Sequence, residues 1–379
     1  MSTTGDGRRR SLAILVLVAA CLLALALGAC GGSDSNDDST SAAGTTGGAK
    51  TDYKVAVLSV GNKTDGSYGQ SLAEGSAGAA TKTGAKVDFV GNLNTPDQYV
   101  SQGTSFAQAG YNMVLIGHGA MGPVVVQLAK KFPDTTFCHT LLPFGRGMEN
   151  PPRNTCFFFA RGELGAFRAG ALAGLISRSG VVGANQALVF PALNAQINDF
   201  ALGVKCVNPR ADVLTTITNN DADPSPTKTA SEAQIAKGAD VLFGATGTAM
   251  AGVFQAANDH PGTLAIGQYV DAAPSAPRAV VASTIVNYQD VVPYLVQQGI
   301  DGRLPQQQVL GSGLPIRIGY LKFNDPVYAQ VSADQKAAYD KIDAAVESDA
   351  IKVPGPDRVG NPGDWRNVDV STIGCKPAA

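Results

Sequence analysis

From residue 54 onward, short apolar runs alternate with longer segments that repeat apolar positions at helical spacing. "KVAVLSV", starting at Lys54, carries no charge after its first residue and reads as a buried strand. "SYGQSLAEGSAGAATKTG" follows as a helix of small residues ending at Gly84. "KVDFV", "NMVLIG", "TTFCH" and "TCFFFA" read as further strands, and helices in "DQYVSQGTSFAQAG" and "GPVVVQLAKKF" separate the first three of these. Alternation at this spacing gives right-handed βαβ units and a parallel sheet. The pattern then starts again. "GVVGA", "ADVLTTI", "ADVLFGA", "TLAIGQ" and "AVVASTIV" read as strands, with helices near residues 194–207, 226–237 and 249–258 between them. Two successive α/β sheets are predicted, joined near "FFFARGELGAFRAGALAGL". The glycines inside helices such as "ELGAFRAGALAG" each cost up to about 1 kcal/mol relative to alanine. Helices that tolerate them gain close backbone packing.

The N-terminus has a different pattern. Arg8, Arg9 and Arg10 precede a run over residues 11–27 that is apolar apart from Ser11, and Gly28 and Ala29 are small residues suited to a cleavage site. "LGAC" resembles the lipobox of bacterial lipoproteins. That resemblance implies cleavage before Cys30 and a diacylglyceryl thioether on its sulfur. The alternative is a retained span, but an apolar run of about 17 residues is at the lower limit for crossing a bilayer. Residues 31–50 hold no aromatic and no large aliphatic residue. Such a segment cannot offset its ordering entropy by burial. It reads as a tether with a reach of roughly 25 Å. The chain therefore divides into a leader (1–29), a lipidated cysteine and tether (30–51), and two lobes. The lobes are expected over 52–160 plus 288–315, and over 161–287 plus 316–379 with a C-terminal tail. Two lobes suit the roughly 330 residues after the tether, too many for one ordinary core.

Charge and cysteine count narrow the function classes. The leader carries three arginines and one aspartate, so its removal takes the formal charge from −2 to −4. A mildly acidic chain with no basic run longer than Lys130-Lys131 makes nucleic acid an unsuitable partner. Beyond Cys21 and Cys30, four cysteines remain. They form no CxxC, and their long spacing argues against zinc. An even number outside the cytoplasm suggests two disulfides. The expected pairing is Cys138 with Cys156 and Cys206 with Cys375; buried free thiols are the alternative.

In parallel α/β sheets the binding crevice lies at the C-terminal strand ends, where helix N-termini point. The loops there are polar and rich in glycine, with a few aromatics, which suits a small polar solute. They hold the candidate ligand residues His118, His139, Phe190, Asp221, Thr246, Gly247, Tyr269 and Asp271. His118 and His139 end neighbouring strands and read equally as ligand contacts or as structural histidines, with a metal pair as the third possibility. Asp223 reads as a helix cap, Trp365 as packing for the tail, and His260 as exposed. No GxSxG, HExxH or Walker motif occurs, and "GATGTAMAG" lacks GxGxxG spacing. No catalytic constellation and no cofactor are expected.

Five collinear segments resemble the basic membrane protein (BMP) family of nucleoside-binding-type lipoproteins serving ABC importers. "TDGSYGQSLAEG" is similar to the family's D-K-S-F-N-Q-x-x-x-E-G segment after the first strand, and "ARGELGAFRAGALAG" resembles its R-E-E-x-G-S-F-L-A-G stretch. "FALGVKCVNP", "KGADVLFGATGTAMAGVFQAA" and "AIKVPGP" follow in order. The resemblance implies a type I periplasmic-binding-protein fold, two Rossmann-like lobes joined by three crossings near Arg161, Asn287 and residues 316–320. It also implies ligand contacts at Asp65, Ser67, Tyr68, Gln70 and Asn287. Several family contacts are altered here. Gly69 stands for an asparagine, Asp221 for a stacking phenylalanine, Tyr269 for a ribose-contacting aspartate, Asn287 for a lysine and Leu141 for an aspartate. Tyr68, Tyr269 and Phe190 remain as candidate stacking groups for a purine-like or other polar solute. The function expected is a membrane-anchored binding protein on the outer face of the cell membrane, delivering its solute to ABC permease subunits. A lipoprotein that senses the same solute for a signalling partner is the alternative.

Overall fold

The computed structural model describes residues 51–142, 148–310 and 316–376. The leader, Cys30 and the tether lie outside the described residues. The elements of the first lobe begin with β1 (Lys54–Ser59), α1 (Tyr68–Thr83), β2 (Lys86–Val90), α2 (Pro96–Gln108) and β3 (Met113–Gly117). They continue with α3 (Gly122–Lys131), β4 (Thr136–His139) and β5 (Thr155–Ala160). The chain then builds α4 (Gly162–Ile176), β6 (Val181–Gln186), α5 (Pro191–Val207), β7 (Asp212–Ile217), α6 (Pro224–Ile235) and β8 (Val241–Ala245). After them come α7 (Ala251–Asp259), β9 (Leu264–Gln268), β10 (Val280–Ile285), α8 (Tyr288–Ile300), β11 (Gln307–Leu310) and β12 (Tyr320–Phe323). The helices α9 (Asp325–Tyr328), α10 (Ala333–Glu347) and α11 (Pro356–Val359) complete the order.

Local chemistry sets many of these bounds. Thr95 and Gln98 form a reciprocal capping box at the start of α2, with Pro96 in its first turn. Ser332 and Gln335 do the same for α10. Gly84 ends α1 at φ 72°, a conformation that costs glycine little. Asp223 caps α6 by accepting from the Ser225 amide, as the sequence suggests.

The strands form two six-stranded sheets, ordered β11-β5-β4-β3-β1-β2 and β12-β10-β9-β8-β6-β7. All pairings are parallel except that of β12 with β10. The architecture is therefore the α/β fold expected, with two lobes. The chain passes between the sheets three times: after β5, between β10 and α8, and between β11 and β12. Core clusters form on the sheets, one combining Val55, Val57, Leu72 and Leu115 with Val291 and Leu295 of α8. α8 thus packs on the first lobe although it follows most of the second in sequence.

Cys206 and Cys375 are bonded, tying the end of α5 to the C-terminal tail. The other expected bridge is corrected: Cys138 and Cys156 are both buried free thiols. They stand directly opposite each other on β4 and β5. In-register side chains on parallel neighbours stay about as far apart as the strands, roughly 4.8 Å. A disulfide needs Cβ atoms about 3.5–4.5 Å apart. Burial and the neighbouring thiol push the Cys138 pKa up, which keeps it protonated.

Behind the first crossing, two carboxylates are buried together. Glu163 at the start of α4 pairs with Arg161 at 2.8 Å, and Asp199 on α5 accepts from the Gly355 amide at 3.1 Å. Glu163 Oε2 and Asp199 Oδ1 are buried without a hydrogen-bond partner. Burial raises both pKa values, with the mutual charge adding to the rise at Asp199. A carboxyl whose folded pKa exceeds its unfolded value stabilises most below the unfolded value, about 4. That contribution is lost as pH rises toward the folded value. The buried histidines, with their lowered pKa values, act in the opposite sense but are common to both proteins, so wild type is expected to lose melting temperature relative to Asp199→Asn as pH rises from 5 to 8. Equal slopes in the two proteins would remove the pair as the cause.

Candidate functional site

The facing strand ends border a cleft that is partly open to solvent. The first lobe supplies Val60 after β1, Tyr68 at the start of α1, His118 and Gly119 after β3, Thr140 and Leu141 after β4, and Phe159 and Ala160 of β5. The second supplies Leu188 and Phe190 after β6, Gln196 in α5, Asp221 after β7, Gly247 after β8 and Tyr269 after β9. Val286 and Tyr288 enter from the second crossing.

Three tyrosines make one wall. The Tyr68 ring centre lies 5.1 Å from that of Tyr269 and 5.4 Å from that of Tyr288, both edge to face. Tyr68 donates to Thr140 Oγ1 at 2.8 Å. Burial raises the pKa of all three phenols, Tyr269 to about 12, so each hydroxyl keeps its proton. Tyr269 has φ 73°. A bulky residue in that region is strained, and such strain gathers at functional sites. The turn is held by the Tyr269 amide, which donates to Thr284 O at 2.7 Å.

In the same cleft, His118 Nε2 stands 3.8 Å from Asp221 Oδ2. His118 Nδ1 accepts from the Ala120 amide at 3.1 Å. Burial lowers the His118 pKa, with Asp221 opposing the shift. His139 lies beneath, its Nε2 3.0 Å from the His118 carbonyl oxygen. It is fully buried, and burial pushes its pKa down to about 4. Among the described residues, no group of three His, Cys, Asp or Glu could hold a metal ion.

Of the residues singled out in sequence, Tyr68, His118, Phe190, Asp221, Gly247 and Tyr269 line the cleft. The others sit around it. Asp65 caps α1 by accepting from the amides of Ser67, Gly69 and Gln70, and accepts from Thr248 Oγ1 of the second lobe at 3.2 Å. Ser67 is buried behind that turn. Gln70 bonds Gly66 and Glu74. Thr246 is buried with its hydroxyl on Met250 Sδ. Asp271 pairs with Lys322 at 2.9 Å. Asn287 has φ 67° and donates to Arg317 O at 2.9 Å, tying two crossings together. His260 is exposed, and Trp365 packs against the second lobe and tail.

Sequence reasoning missed Tyr288, Gln196 and Thr140. Tyr288 directly follows Asn287, and Thr140 follows His139, so adjacency was a signal. Gln196 is on the second turn of α5, where no loop pattern marks it. It accepts from Gln268, the residue before Tyr269.

Residues 53–354 match the family model Bmp, described as ABC transporter substrate-binding protein, PnrA-like. The chain belongs to the Bmp family. It is 26% identical over 264 residues to a purine-binding protein of Brucella abortus, covering 68% of this chain and 70% of that one. Basic membrane protein B of Borreliella burgdorferi is 31% identical over 146 residues, or 38% of this chain and 42% of that one. Among solved structures, an ABC transporter solute-binding protein of Aeropyrum pernix K1 aligns with TM-score 0.68 at 19% identity, over 79% of this chain and 92% of that one. One from Conexibacter woesei aligns with TM-score 0.60 at 24% identity, over 80% and 99%. At these identities the two structures show the fold. As a Bmp-family member the chain is an extracytoplasmic substrate-binding protein of an ABC transporter, and not an enzyme.

Proposed function

We propose that the chain is anchored to the outer face of the membrane through lipid on Cys30. It captures a purine-like or nucleoside-like solute between its lobes and delivers it to an ABC importer. The observation that carries this reading is the tyrosine wall, in which Tyr68 of one lobe meets Tyr269 of the other beside the cleft. Aromatic faces at a closing seam suit a flat heterocycle. The family membership and the purine-binding relative support the same class. Capture works through a hinge equilibrium. A solute touching both lobes binds the closed form better and shifts the population toward it. The contacts Asp65–Thr248 and His118–Asp221 already join the two lobes across the cleft.

The test is calorimetry on the full-length chain in detergent, made in bacteria fed an alkynyl palmitate analogue. Label on the wild type and none on Cys30→Ala is expected. Hypoxanthine, guanine or their nucleosides are expected to bind, and Tyr269→Ala to weaken binding about 10- to 100-fold, since base–aromatic stacking contributes about 1–3 kcal/mol. No binding of any of these at millimolar concentration would end the purine reading, and an unlabelled wild type would end the anchor.

A further inference from the structure

The geometry points to His118 and Asp221 as a donor–acceptor pair, one from each lobe, that selects an uncharged heterocycle presenting a hydrogen-bond acceptor next to an N–H donor. This is the lactam or amidine edge of a ring. The inference deepens the proposed function and rests on it.

The direction of the histidine's hydrogen bonding follows from its neighbours. A backbone amide can only donate, so the Ala120 N–H fixes His118 Nδ1 as the acceptor nitrogen. A neutral imidazole then carries its proton on Nε2, the atom that faces Asp221. The ring is 7% exposed, which disfavours the charged form. Its orientation is held from three sides: the Ala120 amide, His139 below its carbonyl, and the Tyr99 ring 5.8 Å away, edge to face. Asp221 is positioned through its backbone, whose carbonyl accepts from the Ala249 amide at 3.1 Å. That leaves its carboxylate directed at the cleft.

At 3.8 Å the two side chains are too far apart for a direct hydrogen bond. The Nε2 proton and the carboxylate lone pairs are therefore both open to a third group. A solute edge with an acceptor facing His118 and an N–H facing Asp221 satisfies both together. Because the donor follows β3 and the acceptor follows β7, the edge is read only when the lobes close. Recognition and closure are thus one event.

Charge adds a second filter. The described residues lining the cleft include the Asp221 carboxylate and no Lys or Arg. A phosphate or carboxylate entering there would meet a like charge with no cation to offset its desolvation. Asp221 stands where the family resemblance places a stacking phenylalanine, so this chain has exchanged an apolar face for an edge-reading acceptor at that point.

The experiment uses the full-length chain in detergent, with hypoxanthine, inosine, inosine monophosphate and 1,3,7-trimethylxanthine as calorimetric probes. The trimethylated ring keeps the flat bicyclic skeleton, carries three methyl groups and a second carbonyl, and has no N–H. Hypoxanthine is expected to bind at least 100-fold more tightly than trimethylxanthine, and inosine at least 100-fold more tightly than its monophosphate. Asp221→Asn is expected to weaken hypoxanthine binding at least 10-fold and to narrow the gap between inosine and its monophosphate. His118→Gln is expected to narrow the gap between hypoxanthine and trimethylxanthine. Unliganded melting curves check folding; where a variant fails to fold, the wild-type probe series decides alone. Equal binding of hypoxanthine and trimethylxanthine, or variants with unchanged ratios, overturns the pair as selector while leaving the purine reading intact. If no probe binds, the purine reading falls and the inference falls with it.

Discussion

Replacing Gly203 with alanine is expected to destabilise the protein by about 3 kcal/mol, at the upper end of what overpacked cores lose. A Cβ at Gly203 on α5 would sit 2.0 Å from Phe167 O of α4. At Gly170 on α4 it would sit 1.9 Å from Phe200 O of α5. Both obstacles are backbone, so no rotamer change relieves them. The two helices must move apart, and they have little room: every residue of α4 except Leu164 and Leu175 is buried. Alanine's better helix propensity returns only about 1 kcal/mol. Gly78→Ala in α1 is the control, because its added methyl meets nothing closer than 3.5 Å. That variant is expected to be neutral or slightly stabilised. Solute affinity should fall with Gly203→Ala as well, since α4 begins at Gly162 and α5 carries Gln196, both at the cleft. Urea midpoints of the three proteins decide the point. Equal midpoints for Gly203→Ala and wild type would show that the helix contact is looser than described.

The same glycines explain what the sequence makes legible. "ELGAFRAGALAG" is costly as an isolated helix, and close helix packing is the compensation found. Strand–helix alternation exposes both lobes because each βαβ unit is local in the chain. The positions supplied from far away are harder to read. β11 joins the first sheet beside β5 only after five of the six strands of the second sheet have been built. Its short run "QQVL" has no periodicity to announce a strand. The cleft is legible where it is made of loops after strands, as with His118, Asp221 and Tyr269. It is not legible where a helix turns a side chain inward, as with Gln196. His139 shares its strand-end position with His118, and only tertiary packing decides that one lines the cleft and the other supports it. Cysteine parity has the same limit: it counts thiols and says nothing of the strand spacing that keeps Cys138 and Cys156 apart.

Loss of the Cys206–Cys375 bond is expected to cost roughly 5 kcal/mol on the chain-entropy model, because the closed loop spans 169 residues. That is a large share of a typical folding stability of about 5–15 kcal/mol. The bond holds the tail against the second lobe. Val353, Val359 and Ile373 of the tail pack with Phe167, Ala195 and Leu202. Asn194 and Asn198 of α5 donate to the carbonyls of Gly360, Val359 and Asn361. The asparagine amides are buried, so a detached tail leaves them without these acceptors. The same stretch of α5 carries Gln196, which accepts from Gln268, the residue before Tyr269. Reduction should therefore reach the cleft through α5. In Cys206→Ser/Cys375→Ser the urea midpoint is expected to drop sharply, and wild type with reductant should match it. Wild-type solute affinity should fall under reductant, whereas reductant should have no effect on the double variant. A reduced wild type that keeps its midpoint would mean that packing alone docks the tail. A midpoint that drops with affinity unchanged would separate the tail from the cleft and cut the proposed route through Asn194, Gln196 and Tyr269.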